Sequence, residues 1–165
     1  NSLTNIFPSF KLTGLNPARQ YSLTFFASRT SVSDNREARY TVTGANTNSA
    51  VLNAANNINN TATAKGISPS GAGEVTISLA PTANNNNANH FTYLGVLDMT
   101  SSVPPPVFLP PVIENGQIKL QWTGTGQLFS APSALGSWTP ILPAPSSPYG
   151  ETLVPGENRF YRLQQ

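Results

Sequence analysis

An all-β chain is what this sequence predicts: an antiparallel β-sandwich followed by a small C-terminal β-module. Three observations carry the prediction. Fifteen Pro and twelve Gly punctuate 165 residues, which leaves no room for long helices. The apolar residues between them recur in period-two alternation over short runs. Charged residues make up only 10 %, against roughly 25 % in an ordinary soluble domain, so the surface must be wetted by the amides and hydroxyls of Asn, Ser and Thr.

Alternation places strands over 10–13, 21–28, 39–43, 50–53, 61–67, 74–79 and 91–99, and seven short strands separated by turn residues suggest a sandwich spanning 1–102. The run from Gly14 to Tyr21 is the sharpest local signature. Leu15 and Pro17 turn the chain between sheets, and Tyr21, four residues after the proline, is placed to bring its hydroxyl back to the backbone near Leu15 to Pro17, a tyrosine corner. Tyr21 then shares a buried face with Leu23, Phe25 and Ala27. The stretches 56–60 and 84–89 are Asn-rich, with Ile58 as their one large apolar side chain, and are expected to be prominent loops.

Pro104, Pro105, Pro106, Pro110 and Pro111 fall within eight positions. Residues without an N–H cannot sustain a hydrogen-bonded ladder, so 103–111 is expected to be a semi-rigid linker. The remainder, 112–165, divides into strands near 116–123, 128–130, 138–142 and 159–163. So small a unit has a thin core, and Trp122, Trp138 and Phe160 are expected to fill it.

Several functions are disfavoured by composition. Nine Lys and Arg against seven Asp and Glu leave a net charge of +2, without the dense basic stripe that counterion release from nucleic acid requires. The absence of Cys removes disulfides, zinc ribbons and thiol nucleophiles together. No apolar run approaches the length of a membrane span. Low charge and amide-rich loops suit a secreted or cell-surface protein, and Asn1 in place of Met suggests a processed or trimmed piece.

No catalytic constellation emerges. His90 is the one histidine, and Gly66-Ile67-Ser68-Pro69-Ser70 lacks the final Gly of a nucleophile elbow. The seven carboxylates show no spacing that singles out a glycosidase pair. Binding chemistry is more visible. Arg29, Asp34, Asn35, Arg36, Glu37 and Arg39 concentrate charge and amide groups in one loop, and guanidinium forks with amides suit sugar hydroxyls or uronate carboxylates. Phe26 alternates away from the Leu23 and Phe25 face, where an exposed ring can stack on a sugar. Arg29, Arg36, Arg39, Asn35 and Phe26 are therefore the candidate ligand-binding residues. The oxygen ligands of Asp34, Asn35 and Glu37 form a candidate Ca2+ site, outside the EF-hand spacing.

The segments FKLTGLNPARQYSLTFFASR, YTVTGA, ISPSGAGEVTISL and YLGVLDM resemble a β-sandwich module recurring in secreted proteins of Verrucomicrobia and Planctomycetes, over about residues 9 to 100. That module is similar to galactose-binding-like jelly rolls, many of which bind carbohydrate. The tail, with IKLQWTGTGQLFSAPSALGSWTPI, SSPYGETL and RFYRLQQ, resembles a small terminal repeat of the same kinds of protein, over about residues 113 to 165. The resemblance implies a jelly-roll-like sandwich and a non-catalytic extracellular accessory module whose partner is a polysaccharide or other glycan. The alternative is a structural subunit of an extracellular fibre or surface layer. The larger module normally has strands upstream of the position matching Phe10, so the segment Asn1 to Thr13 is a poorly defended edge, and self-association by β-edge pairing is expected if those strands are missing.

Overall fold

The computed structural model describes residues 7–165, and every regular element among them is a β-strand. The chain divides into two compact units, Asn1–Val103 and Pro104–Gln165.

In the first unit, β1 (Ser9–Leu12), β2 (Gln20–Phe26), β3 (Glu37–Thr43), β4 (Thr47–Asn53), β5 (Ala62–Ile67), β6 (Val75–Pro81) and β7 (Val96–Ser102) form two antiparallel sheets. One has the order β1-β6-β3-β4 and the other β5-β2-β7. Alternate residues of β2, β3 and β6 are buried, as a strand with one face on a core requires. Leu23, Phe25, Tyr40, Val42, Ile67, Val75 and Ile77 fill the space between the sheets. Phe25 and Tyr40 stack across it with ring centroids 4.5 Å apart, and burial pushes the Tyr40 phenol up to about 12.

Tyr21 is buried, and its hydroxyl accepts a hydrogen bond from the Asn16 backbone N–H at 2.9 Å. The corner thus pins the β1–β2 crossover from one sheet to the other. Tyr21→Phe keeps the ring and removes the acceptor; a loss of about 1 kcal/mol in chemical unfolding is expected, the net worth of one hydrogen bond.

A second fastening joins the sheets along one side, where β4 and β5 are their terminal strands. Asn46 Nδ2 donates to the Gly66 carbonyl at 2.8 Å and Asn48 Nδ2 to the Lys65 carbonyl at 3.0 Å. In return, Asn46 Oδ1 accepts the Ser68 N–H at 2.7 Å. Gly44 permits the approach, since a Cβ there would lie 2.2 Å from the Ser68 carbonyl oxygen. On the opposite side β1 and β7 each have one partner strand among the described residues. Within the expected edge segment, Ser9–Leu12 is paired inside its own sheet with β6, while residues 1–6 lie outside the described residues. β7 is largely exposed, with Val96 and Met99 accessible.

The second unit contains β8 (Val107–Phe108), β9 (Val112–Glu114), β10 (Gln117–Leu120), β11 (Trp122–Thr123), β12 (Gln127–Ala131), β13 (Thr139–Pro140), β14 (Tyr149–Thr152) and β15 (Phe160–Gln164). They form the small sheets β14-β10-β9, β11-β8 and β13-β12-β15. Asn115 and Gly116, both at positive φ, turn β9 into β10, the backbone that an Asn-Gly hairpin supplies.

Three expectations change here. The proline-rich stretch carries β8, because Val107 retains an N–H between prolines and pairs with Thr123, as Phe108 does with Trp122. The core is Leu120, Trp122 and Leu128 with Phe108, Ile118, Ile141, Tyr149, Tyr161 and Leu163 around them. Phe160 is 41 % exposed, and Trp138 lies outside that cluster, its ring under the Arg162 guanidinium at 4.7 Å. Phe129 takes the same guanidinium at 5.3 Å. A cation between two rings is stabilised by their faces, which gives Trp138 a partner on the sheet surface.

Candidate functional site

The charged loop folds against the second Asn-rich loop. Arg36 donates from Nε to Asp34 Oδ1 at 2.7 Å and from Nη2 to Asp34 Oδ2 at 3.1 Å, a two-point fork. Asp34 Oδ2 also accepts Asn87 Nδ2 at 2.5 Å. These donors, Arg36 first and Asn87 second, hold the Asp34 carboxyl below its ordinary range, and the carboxylate in turn raises the Arg36 guanidinium. The remaining Arg36 nitrogen, Nη1, donates to the Tyr93 hydroxyl, with the guanidinium 5.6 Å from the centre of that ring.

Two buried amides build the frame. Asn85 Nδ2 donates to the Glu37 and Phe91 carbonyls at 3.1 and 3.2 Å, and its Oδ1 accepts the Asn87 N–H. Asn87 Oδ1 accepts the N–H groups of Asn89 and Phe91 at 3.2 and 3.3 Å. Asn84 and Asn86 are exposed while Asn85 and Asn87 are buried, so a run of four identical residues alternates as a strand would. Among the described residues no buried side-chain nitrogen or oxygen lacks a partner, which is what makes amide burial tolerable. Residues 91–95 are irregular, in place of the strand expected from 91, because their groups are engaged with this frame and with the core. The Tyr93 carbonyl accepts the Tyr40 hydroxyl at 2.5 Å.

Arg29, Arg36, Phe91, Thr92 and Tyr93 line an open cleft of about 450 Å3. The Arg29 backbone is fixed, its N–H donating to the Ala54 carbonyl at 2.7 Å and its carbonyl accepting the Asn56 N–H at 2.8 Å. Its side chain is exposed and enters no ion pair among the described residues. Phe91 is 51 % exposed.

Two of the five candidate ligand residues, Arg29 and Arg36, therefore meet at the cleft. Arg39 points to the outer face of β3 and donates to Ser49 Oγ at 3.2 Å. Asn35 is bound on both sides of its backbone to Asn86 and caps the Glu37 N–H with its own amide oxygen at 2.8 Å. Phe26 is half-buried beside Gly95, whose N–H bonds the Phe26 carbonyl. The sequence gives no signal for Asn85, Asn87 and Thr92.

The oxygens proposed for Ca2+ have different partners. Asp34 holds Arg36, Asn35 holds the Glu37 N–H, and Glu37 Oε1 accepts Thr82 Oγ1 at 2.5 Å and Asn84 Nδ2 at 2.9 Å. The guanidinium against Asp34 also opposes a second cation there. No group of three or more His, Cys, Asp and Glu suited to a metal occurs among the described residues. His90 is exposed at φ 50°, its N–H bonded to the Asn87 carbonyl.

In the second unit, Glu151 and Arg159 line a cavity of about 250 Å3. The Glu151 carboxylate accepts the Tyr161 hydroxyl at 2.6 Å and the Tyr149 hydroxyl at 3.2 Å and pairs with Arg159, which also meets Glu157 at 3.4 Å. Burial raises the Tyr161 phenol. This cluster gathers two carboxylates around the one guanidinium of Arg159. Set beside known proteins, the chain matches no family model, no curated protein and no solved structure.

Proposed function

We infer that this chain is a non-catalytic accessory module of a secreted or surface protein and binds a glycan in the cleft of the first unit. The observation that carries the reading is an exposed ring, Phe91, standing in one cleft with two guanidinium groups, one fixed and one free. The apolar face of a pyranose can lie on Phe91, while its hydroxyls find the directed donors of Arg29 and Arg36 and the hydroxyl of Thr92.

Affinity electrophoresis of the full chain through gels containing neutral and acidic polysaccharides tests the reading. Retardation by at least one glycan is expected, with Phe91→Ala weakening it roughly tenfold, the loss of one aromatic stacking contact. A parent chain retarded by none, or a Phe91→Ala variant retarded as strongly as the parent, would overturn it.

Among the described residues β1 and β7 each pair along one edge alone, which favours a second reading, a structural subunit associating through strand edges. Concentration-dependent light scattering separates the two. A monomer across micromolar concentrations argues for the module.

A further inference from the structure

We propose that the cleft is selective for an acidic sugar, with Arg29 taking the carboxylate of a uronic-acid unit whose ring lies on Phe91. The inference rests on the glycan reading above and narrows its ligand. It starts from the unequal state of the two arginines. Both oxygens of Asp34 engage Arg36, so that guanidinium is matched in charge and held in place as a wall. Arg29 has no matching carboxylate among the described residues. The lining therefore carries one uncompensated positive charge on an exposed fork.

A single planar monoanion is the ligand group that such a fork fits, through two parallel N–H···O bonds. A nucleic-acid or polyphosphate backbone would require a row of cations, whereas Phe91, Thr92 and Tyr93 supply none. The ring of Phe91 sets the second requirement, a flat apolar surface adjoining the carboxylate, which a uronate pyranose provides. The fixed Arg29 backbone keeps the origin of the fork constant, so the ligand orders only the side chain itself.

The test uses the full chain with polygalacturonate and alginate, each compared with its carboxyl-reduced form, and with polyglutamate as an acidic polymer without sugar rings. At least one acidic polysaccharide is expected to bind, and reduction of its carboxyl groups to weaken binding at least roughly tenfold, the scale of a charged hydrogen bond. Arg29→Ala should reproduce that loss on the acidic form, while Arg39→Ala, outside the cleft, binds as the parent does. Thermal unfolding establishes that the Arg29 variant is folded, and Arg29→Gln serves in its place if it is not.

Equal binding of acidic and reduced forms, or binding of neutral glycans alone, overturns the acidic-sugar inference and leaves the glycan reading standing. Polyglutamate binding as tightly as the acidic glycans assigns the cleft to acidic peptides and overturns the inference. An Arg29→Ala variant with parental affinity overturns it too. A chain that binds no glycan of any kind overturns both.

Discussion

Phe25→Ala should lower the stability of the first unit by about 3–5 kcal/mol, the cost of deleting a buried aromatic ring. Phe25 and Tyr40 are both inaccessible to solvent and stacked at 4.5 Å across the sheet interface, so the deleted ring leaves a cavity that close-packed neighbours can fill only in part. Against a total of about 5–15 kcal/mol for a typical domain, that is a large fraction. The loss should propagate outward. Tyr40 carries the hydroxyl that fastens the Tyr93 carbonyl, and Tyr93 takes a nitrogen of Arg36, so a loosened Tyr40 also loosens a wall of the cleft. Both tryptophans belong to the 104–165 unit, so the transition is followed by near-ultraviolet circular dichroism of the tyrosines or by amide hydrogen exchange. Unchanged stability would mean that the sandwich is packed differently from what is described above.

The second large effect is expected at Asn87, a residue of a low-complexity run. Asn87→Leu removes the acceptor of two N–H groups, those of Asn89 and Phe91, and the donor to Asp34. A buried polar group left without a partner costs about 1–3 kcal/mol, so about 2–4 kcal/mol is expected in urea unfolding. Glycan retention should fall with it, since Phe91 and the Asp34–Arg36 fork lose their common support. Asn86→Ala supplies the contrast. It is exposed and its side chain meets the Asn35 N–H alone, and about 1 kcal/mol or less is expected. Equal effects at positions 86 and 87 would show that the alternation within the run carries no energetic weight.

These two residues mark where the sequence is readable and where it is not. Phe25 belongs to a run, Gln20–Phe26, whose apolar residues alternate, and alternation identifies both the strand and its buried face. The same signal placed Tyr21 at the corner, where the proline spacing fixed its partner within a few residues. Where flanking residues are polar the signal fades. Thr47 pairs with Thr43 to close the β3–β4 hairpin, yet Thr47 belongs to no apolar alternation, so β4 is longer than its apolar part. Bulk misleads in the second unit, because Trp138 finds its partner in the Arg162 guanidinium, a contact encoded 24 positions away with no local pattern.

For the cleft, the charge density from Arg29 to Arg39 locates the region, but which arginine is free depends on distant partners. Asp34 meets Asn87 across 53 residues and Arg36 meets Tyr93 across 57. Four consecutive asparagines offer no difference of side chain by which Asn85 and Asn87 could be told from Asn84 and Asn86. Their roles follow from the path of the backbone, which only the fold specifies.

The side-chain amides of Asn46 and Asn48 bear on how copies of this chain can meet. Along that flank the carbonyls of Lys65 and Gly66 and the N–H of Ser68 are already engaged, so an incoming strand cannot use them without displacing an amide. Within the first unit, pairing is favoured on the other flank, where β1 and β7 end their sheets among the described residues. Taken by itself, the first unit has a single adhesive flank and a valence of one. Two copies whose first units face each other about a twofold axis would satisfy it, with the amide-fastened flanks of those units turned outward. Growth through the first unit stops at the first step, and any further step falls to the second unit, where β9, β14, β13 and β15 end their sheets.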